Sequence, residues 1–190
     1  MNKKYWENRY INNKTGWDIG KISTPLKGYI DQLKNKNIKI LIPGAGNGYE
    51  FDYLITQGFF NVFVIDIAEQ PLKTIKIRNP EYADQIIYGD FFDLKDTFDL
   101  VLEHTFFCAL NPNLRTNYVS KMNEIVNKKG KIAGLFFDFP LTEVGPPFGA
   151  TYQDYLLLFQ NNFKIKTLEK TYNSILERKD KELFFIFEKK

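Results

Sequence analysis

The chain has 190 residues, of which 44% are hydrophobic, 26% charged and 16% aromatic, and its formal net charge is +3. Its one cysteine excludes an internal disulfide, and one cysteine with one histidine excludes structural zinc sites that need four nitrogen or sulfur ligands. We therefore predict a single domain over residues 1–190 without a metal site. The 18 Phe, 11 Tyr and 2 Trp are more rings than a core of this size requires.

The charges and the N-terminus exclude several classes of partner. The 26 Lys and Arg are scattered among 23 acidic residues, which is typical of a solvated surface rather than a nucleic-acid interface. Residues 1–10 do not resemble a signal peptide, and no run reaches the roughly 18 apolar residues of a membrane span. The sequence predicts a cytoplasmic protein with a small-molecule partner and no nucleic-acid or membrane partner. It does not indicate an oligomeric state.

Apolar runs and helical spacing alternate along most of the chain. A long helix is capped by Asn111, starts with Pro112 in its first turn and is ended by Gly130, with the Lys128-Lys129 pair near its end. The other predicted helices cover residues 49–57, 69–78 and 152–161. The predicted strands cover residues 38–42, 61–66, 85–88, 98–103, 131–139, 163–169 and 183–188.

Strands that alternate with helices predict a mostly parallel sheet with helices on both faces. The last two strands are separated by only about a dozen mostly polar residues, too few for a packed crossover helix, so they should form an antiparallel hairpin. A seven-stranded parallel sheet finished by such a hairpin is the α/β architecture of Rossmann-like class I methyltransferases. Most dinucleotide dehydrogenases lack it.

A glycine loop, residues 43–48, joins the first strand to the first helix. Gly44 and Gly46 allow a ligand close to the backbone, and Asp66 ends the second strand 20 residues after Gly46, where a carboxylate can bind a ribose. A dinucleotide loop needs a third glycine at the place that Tyr49 occupies. The spacing therefore favours S-adenosylmethionine, although an NAD-binding oxidoreductase remains an alternative.

A second acidic position follows the third strand. Asp90 can bond the amino group of an adenine, and Phe91 can lie against its ring. Asp66 can alternatively cap the second helix, and Phe91 can simply belong to the core. Together with the glycine loop, the two acids favour a nucleoside-containing cofactor.

Several segments resemble the thiopurine S-methyltransferase family, in particular its halide, thiocyanate and thiol methyltransferases. The similarity covers most of the chain and is specific because the segments occur in the family's order and spacing. The segments are residues 6–10 (WENRY), 15–20 (TGWDIG), 41–48 (LIPGAGNG), 98–110 (FDLVLEHTFFCAL) and 145–148 (GPPF).

The resemblance implies a site for S-adenosylmethionine, with S-adenosylhomocysteine as product. Residues 1–30 would cover the cofactor, and Gly44 and Gly46 would lie along its methionine portion. Asp66 would bind the ribose, and Asp90 with Phe91 would bind the adenine. Further cofactor contacts would come from the N-terminal rings and the end of the fourth strand, namely Trp6, Tyr10, Trp17 and His104.

The implied reaction is methyl transfer to a small soft nucleophile such as a thiol, sulfide, thiocyanate or halide. His104 is the candidate catalytic residue, as an orienter or a base, while Phe107 and Phe148 are candidates for the substrate pocket. Where the family has a second Trp this chain has Tyr10, and where the family has a Tyr in its G-G-P-P-Y loop it has Phe148. The lost hydroxyl favours thiols over chloride as acceptors.

Other interpretations remain at this stage. Residues 145–148 superficially resemble the loop of nucleic-acid amino-methyltransferases, but that loop follows the fourth strand and begins with a hydrogen-bonding side chain, which Gly145 lacks. A protein that binds S-adenosylmethionine without transferring its methyl group is a further alternative. We expect Cys108 to be a small buried residue rather than a nucleophile.

Overall fold

The computed structural model describes all 190 residues. Its strands are, in chain order, β1 Ile40–Pro43, β2 Val62–Asp66, β3 Ile86–Tyr88, β4 Phe98–His104, β5 Val126–Phe137, β6 Phe163–Lys170 and β7 Glu182–Lys189. They follow the order β3-β2-β1-β4-β5-β7-β6 in a seven-stranded sheet. The predicted fold class is confirmed, because the β1–β2, β2–β3 and β4–β5 pairs are parallel and the two pairs that involve β7 are antiparallel. The chain also divides into two compact units, Met1–Leu94 and Lys95–Lys190.

The first unit contains three parallel strands and four helices. In the β1–β2 pair Ile40 lies opposite Val62, and in the β2–β3 pair Val64 lies opposite Ile86. All four residues of β1 are buried, as expected for a strand in the middle of a parallel sheet. The elements are α1 Lys3–Ile11, α2 Thr24–Ile30, β1 Ile40–Pro43, α3 Tyr49–Thr56, β2 Val62–Asp66, α4 Glu69–Arg78 and β3 Ile86–Tyr88.

The second unit contains one parallel pair of strands and the antiparallel hairpin that the sequence predicts. Strand β5 runs parallel to β4, with Glu103 opposite Gly134, and antiparallel to β7, with Leu135 opposite Phe184. The hairpin pairs β6 with β7. The elements are β4 Phe98–His104, α5 Arg115–Ile125, β5 Val126–Phe137, α6 Tyr152–Phe159, β6 Phe163–Lys170 and β7 Glu182–Lys189.

Stacked rings fill the core of the second unit. The Phe136 ring lies between two others: its centroid is 3.9 Å from that of Phe185 and 4.3 Å from that of Tyr155, with interplanar angles of 8° and 2°. Aromatic pairs in this arrangement stabilise the core beyond what the burial of their apolar area contributes. Other rings that are less than 2% exposed in this unit are Phe98, Phe107, Tyr118, Phe159, Phe163 and Phe187. Much of the aromatic excess in the composition is therefore core.

The end of the long helix is the clearest correction to the predicted elements. Helix α5 ends at Ile125, and β5 begins at Val126 by pairing with Phe98. Lys128 and Lys129 therefore lie in a strand rather than at a helix end. Gly130 does not cap a helix; a Cβ atom there would approach the Asp99 carbonyl oxygen to 3.0 Å. The Cβ atom would lie still closer, at 2.8 Å, to the Asn127 carbonyl oxygen of the same strand, so close packing within β5 and against β4 requires this glycine.

The predicted start of the same helix is confirmed in part. The Asn111 side chain accepts a hydrogen bond from the Asn113 N–H, but the turn that it caps is a 3₁₀ helix, Pro112–Leu114, and α5 follows from Arg115.

No helix of the chain has the length and hydrophobicity needed to cross a bilayer.

Candidate functional site

The glycine loop after β1 has a backbone that only glycine adopts easily. Gly44, Gly46 and Gly48 have φ angles of +61°, +54° and +76°. The Gly44 N–H donates to the Ile65 carbonyl oxygen over 2.8 Å, and Gly48 stands at the N-cap of α3. A Cβ atom on Gly48 would lie 2.7 Å from the Ile75 side chain. Conformation and packing thus both require a glycine before this helix.

Asp66, at the end of β2, reaches this loop as the spacing predicts. Its Oδ1 accepts a hydrogen bond from the Ala68 N–H over 2.8 Å, and its Oδ2 accepts a long one from the Gly46 N–H over 3.4 Å. Burial raises the pKa of the Asp66 carboxyl to about 6, although the backbone N–H groups of Ala68, Gly46 and Ile67 act in the opposite direction. This carboxylate is only weakly bonded to the loop that it faces.

Three rings of the N-terminal segment form a cluster. The Trp17 ring makes edge contacts with Trp6 and Tyr10, at centroid distances of 5.4 and 5.6 Å. The Tyr10 hydroxyl oxygen lies 3.7 Å from the position that a Cβ atom on Gly46 would occupy. Burial and the nearby Asp66 raise the pKa of Tyr10, so its hydroxyl stays protonated. The structure thus brings the predicted rings together with the glycine loop and Asp66.

Asp18 attaches this segment to the glycine loop, a role that the sequence did not reveal. Its Oδ2 accepts hydrogen bonds from the Asn47 amide and, over 3.3 Å, from the Tyr49 hydroxyl, while Oδ1 accepts the Gly20 N–H over 2.7 Å. The position of Asp18 in the TGWDIG segment was the available signal. Tyr49, which argued against a dinucleotide loop, is thus a partner of the N-terminal segment.

Glu7 makes a second attachment. Its carboxylate accepts a hydrogen bond from the Glu69 N–H, in the first turn of α4. Helix α4 has no side-chain cap of its own, so Glu7 satisfies one of the backbone donors that every helix N-terminus leaves unpaired. A carboxylate is also favoured there by the helix dipole. Helix α1 is thereby held against α4.

Asp90 and Phe91 follow β3. The Gly89 N–H donates to the Asp66 carbonyl oxygen over 3.0 Å, so β2 and β3 end side by side. The Asp90 side chain is exposed and accepts the Phe92 N–H over 2.9 Å, which caps the 3₁₀ helix Phe91–Asp93. The Phe91 ring is only 2% exposed and contacts Phe92 edge-on. Adenine binding by Asp90 and Phe91 stays a prediction.

In the second unit, His104 ends β4 and has a cationic neighbour. The Arg178 Nη1 atom lies 2.9 Å from His104 Nε2. A guanidinium only donates hydrogen bonds, so Nε2 accepts and the ring hydrogen resides on Nδ1. Arg178 is buried and pairs with the buried Glu182 over 3.2 Å. Glu182 in turn accepts the Ser174 hydroxyl over 2.7 Å. Sequence reasoning missed these partners, because 74 residues separate Arg178 from His104.

Glu103, next to His104, is fully buried and has a structural role. Its Oε1 accepts the N–H groups of Phe106 and Phe107 over 2.8 and 3.0 Å, and its Oε2 accepts the Tyr118 hydroxyl over 2.7 Å. Burial raises the pKa of this carboxyl. The three bonds hold the turn after His104, in which Thr105 has a φ angle of +64°.

The two predicted pocket residues differ in their surroundings. Phe107 is fully buried, with ring centroids of Tyr118 and Phe136 at 5.1 and 5.2 Å. Phe148 is 9% exposed, and its ring covers Gly145, where a Cβ atom would lie 2.7 Å from the ring. The assignment of Phe107 and Phe148 to a substrate pocket stays a prediction.

Cys108 and Arg115 hold the loop that carries Phe148. The Phe148 N–H donates to the Cys108 carbonyl oxygen over 2.7 Å, and an Arg115 Nη2 atom donates to the Gly149 carbonyl oxygen over 2.7 Å. Burial raises the pKa of the Cys108 thiol, which therefore stays protonated. Cys108 is small and buried, as predicted.

Curated methyltransferases are similar to this chain over most of its length. The probable thiol methyltransferase 2 of Arabidopsis thaliana is 26% identical over 157 residues, which are 79% of this chain and 69% of that protein. Thiocyanate methyltransferase 1 of Brassica oleracea is 27% identical over 186 residues, 93% of this chain and 81% of that protein.

A solved structure shares the fold at low sequence identity. It is the 1,6-didemethyltoxoflavin-N1-methyltransferase of Burkholderia thailandensis, solved with 1,6-didemethyltoxoflavin and S-adenosylhomocysteine bound. Its TM-score is 0.80 at 15% identity, and the match covers 98% of this chain and 86% of that one.

The fold is therefore that of a class I methyltransferase, and the family that the sequence matches shows that the enzyme uses S-adenosylmethionine. The sequence profile of the family described as thiopurine S-methyltransferase matches residues 1–189. The chain belongs to this family.

Proposed function

We propose that the protein methylates a small soft nucleophile, with thiols or other soft sulfur acceptors preferred over chloride. The observation that carries the cofactor half of this proposal is the convergence of Tyr10, Gly46 and Asp66 at the ends of β1 and β2. The acceptor half is supported by the relatives whose names are thiol and thiocyanate methyltransferase.

The residues at these strand ends fit S-adenosylmethionine. Asp66 faces the loop with a carboxylate that the Gly46 N–H holds only weakly, at 3.4 Å, so its oxygens can accept the ribose hydroxyls. Gly44 and Gly46 leave room for the methionine portion. Asp90 and Phe91 receive the adenine. When bound, the cofactor supplies a methyl group that is activated by its sulfonium charge.

The N-terminal segment has two tasks in this proposal. Trp6, Tyr10 and Trp17 exclude water from the cofactor, and ring faces attract a cation such as a sulfonium. Asp18 keeps the segment on the glycine loop through Asn47 and the Tyr49 hydroxyl. Residues 1–30 are therefore the cofactor-covering segment of a single methyltransferase domain over residues 1–190.

His104 acts on the acceptor as an orienter rather than as a base. Arg178 donates to its Nε2, so this nitrogen is occupied and the ring presents an N–H at Nδ1 to the acceptor. A thiolate needs no base, because its proton has already gone to solvent. Phe107 and Phe148 give the acceptor an apolar surrounding, which suits a polarizable sulfur better than a strongly hydrated chloride.

The proposal is tested by incubating the protein with S-adenosylmethionine labelled in its methyl group and a panel of acceptors. The panel contains small thiols, hydrogen sulfide, a thiopurine, thiocyanate, iodide and chloride, and labelled products are separated by chromatography or collected as vapour. We expect thiols or another soft sulfur acceptor to be methylated faster than chloride. Faster turnover of chloride than of thiols would contradict the acceptor preference. Calorimetric binding of NAD, without binding of S-adenosylmethionine or S-adenosylhomocysteine, would contradict the cofactor.

A further inference from the structure

Arg9 is a cation in the N-terminal segment whose guanidinium contacts two rings but no carboxylate. It lies in the last turn of α1, and its guanidinium carbon is 5.4 Å from the centroid of the Trp17 ring and 6.0 Å from that of Tyr5. Its Nε atom is buried and has no hydrogen-bond partner. Buried donors are nearly always paired in folded proteins, so this N–H can donate to an acceptor that a ligand brings.

The acidic residues of the same segment are engaged elsewhere. The Glu7 carboxylate accepts the Glu69 N–H at the start of α4. Asp18 accepts hydrogen bonds from Asn47, Tyr49 and the Gly20 N–H. The two rings beside Arg9 carry no negative charge. The guanidinium is thus placed and oriented by its ring contacts but not neutralised by them.

Two rings, Trp17 and Tyr10, connect Arg9 to the glycine loop. The Trp17 ring contacts both the Arg9 guanidinium and the Tyr10 ring, and the Tyr10 hydroxyl lies 3.7 Å from the Cβ position of Gly46. This loop is the part of the site that we assign to the methionine portion of the cofactor. The negative group of that portion is an α-carboxylate, and guanidinium binds carboxylates through two parallel N–H···O bonds.

We propose that Arg9 binds the α-carboxylate of the cofactor and thereby selects ligands that carry an intact amino-acid tail. This inference rests on the proposed use of S-adenosylmethionine. Arg9 is then a binding residue in the same segment as the rings that cover the cofactor. Its contact with Trp17 couples recognition of the carboxylate to the packing of that segment.

The test compares two ligands that differ only in this carboxylate, S-adenosylmethionine and its decarboxylated form, by isothermal titration calorimetry. We expect the wild-type protein to bind S-adenosylmethionine about 10-fold to 100-fold more tightly, the range of a hydrogen bond between charged groups. Arg9→Gln should lose this preference: it weakens binding of S-adenosylmethionine by that factor and changes binding of the decarboxylated ligand less than about twofold.

Two further variants make the comparison decisive. Lys4→Gln removes an exposed positive charge from the same helix and should leave both affinities unchanged. Arg9→Lys keeps the charge without the planar fork and should retain part of the preference; it replaces Arg9→Gln if that variant does not fold. Equal weakening of both ligands by the Arg9 variants would show a purely structural role and overturn the inference, as would a wild-type protein without preference. If wild type binds neither ligand, the proposed function itself fails.

Discussion

Two carboxyl groups at strand ends show how neighbours decide what a residue can do. Glu103 and Asp66 both have a pKa raised by burial. Both carboxylate oxygens of Glu103 accept hydrogen bonds, from two backbone N–H groups and the Tyr118 hydroxyl, so Glu103 is a structural residue. Asp66 has one firm bond, to the Ala68 N–H, and one long bond to the Gly46 N–H. Asp66 is therefore the carboxylate that can exchange a weak internal bond for a ligand.

Asp66 should make cofactor binding depend on pH. The Asp66 side chain accepts hydrogen bonds from the ribose hydroxyls fully only when it is ionised. Its pKa is about 6. Lowering the pH from 8 to 5 should therefore weaken binding of S-adenosylhomocysteine about tenfold, because at pH 5 only about one group in eleven is ionised. Calorimetric titrations between pH 5 and pH 8 measure this. Asp66→Asn should bind more weakly at pH 8 and show no such fall.

Unfolding does not explain the expected loss of affinity. A folded-state pKa above the unfolded value means that the folded chain holds this proton more tightly than the unfolded chain. The contribution of Asp66 to stability is therefore present at low pH and is lost as the pH rises through about 6. An affinity that stays constant from pH 5 to pH 8, or an equal fall in Asp66→Asn, would contradict the assignment of the ribose to Asp66.

At the scale of elements, the junction between the glycine loop and α3 depends on one backbone conformation. Gly48 has a φ angle of +76°, and a Cβ atom there would lie 2.7 Å from Ile75 in α4. Gly48→Ala should thus lower the free energy of unfolding by about 1–3 kcal/mol, since strain and overpacking act together. Urea denaturation of the purified variant measures the change.

Gly28 is a matched control in the same unit. It lies inside α2, and a Cβ atom there would have nothing within 4 Å. Gly28→Ala should raise the free energy of unfolding by about 0.5–1 kcal/mol, because alanine loses less conformational entropy in a helix than glycine does. Equal effects of the two substitutions would mean that the left-handed conformation at Gly48 is not under steric control.

Whole-molecule topology was readable because its signals are local. The run of β-branched residues in β1 and the glycine cluster after it are adjacent in sequence, and Asp66 ends β2 20 residues after Gly46, a spacing that the sequence displays. The short polar stretch between β6 and β7 likewise indicated the hairpin. Such features follow from periodicity, chain reach and turn chemistry, which a sequence displays directly.

The remaining features depend on contacts between distant residues. Helix α1 has no buried residue, so no apolar stripe in the sequence indicated it. It is held by contacts with distant residues such as the hydrogen bond from the Glu69 N–H to Glu7. The end of α5 is fixed by the pairing of Val126 with Phe98, which overrides the glycine signal at Gly130. Nothing in the sequence around Arg178 distinguishes it from a surface cation, yet in the fold it contacts both His104 and Glu182. Charge partners of this kind cannot be found from spacing.

The aromatic excess finally makes a prediction about the stability of the whole molecule. Phe136 is 2% exposed and stacks on both Phe185 and Tyr155. Phe136→Ala removes both ring contacts and leaves a cavity, so it should lower the free energy of unfolding by about 3–5 kcal/mol, a large share of the roughly 5–15 kcal/mol that stabilises a typical protein. Phe60→Ala is the control: this ring is 55% exposed, and its loss should change stability by no more than about 0.5 kcal/mol. Thermal and urea unfolding measure both variants. Comparable losses in both would mean that the surplus rings contribute through general hydrophobicity rather than through the stacked core.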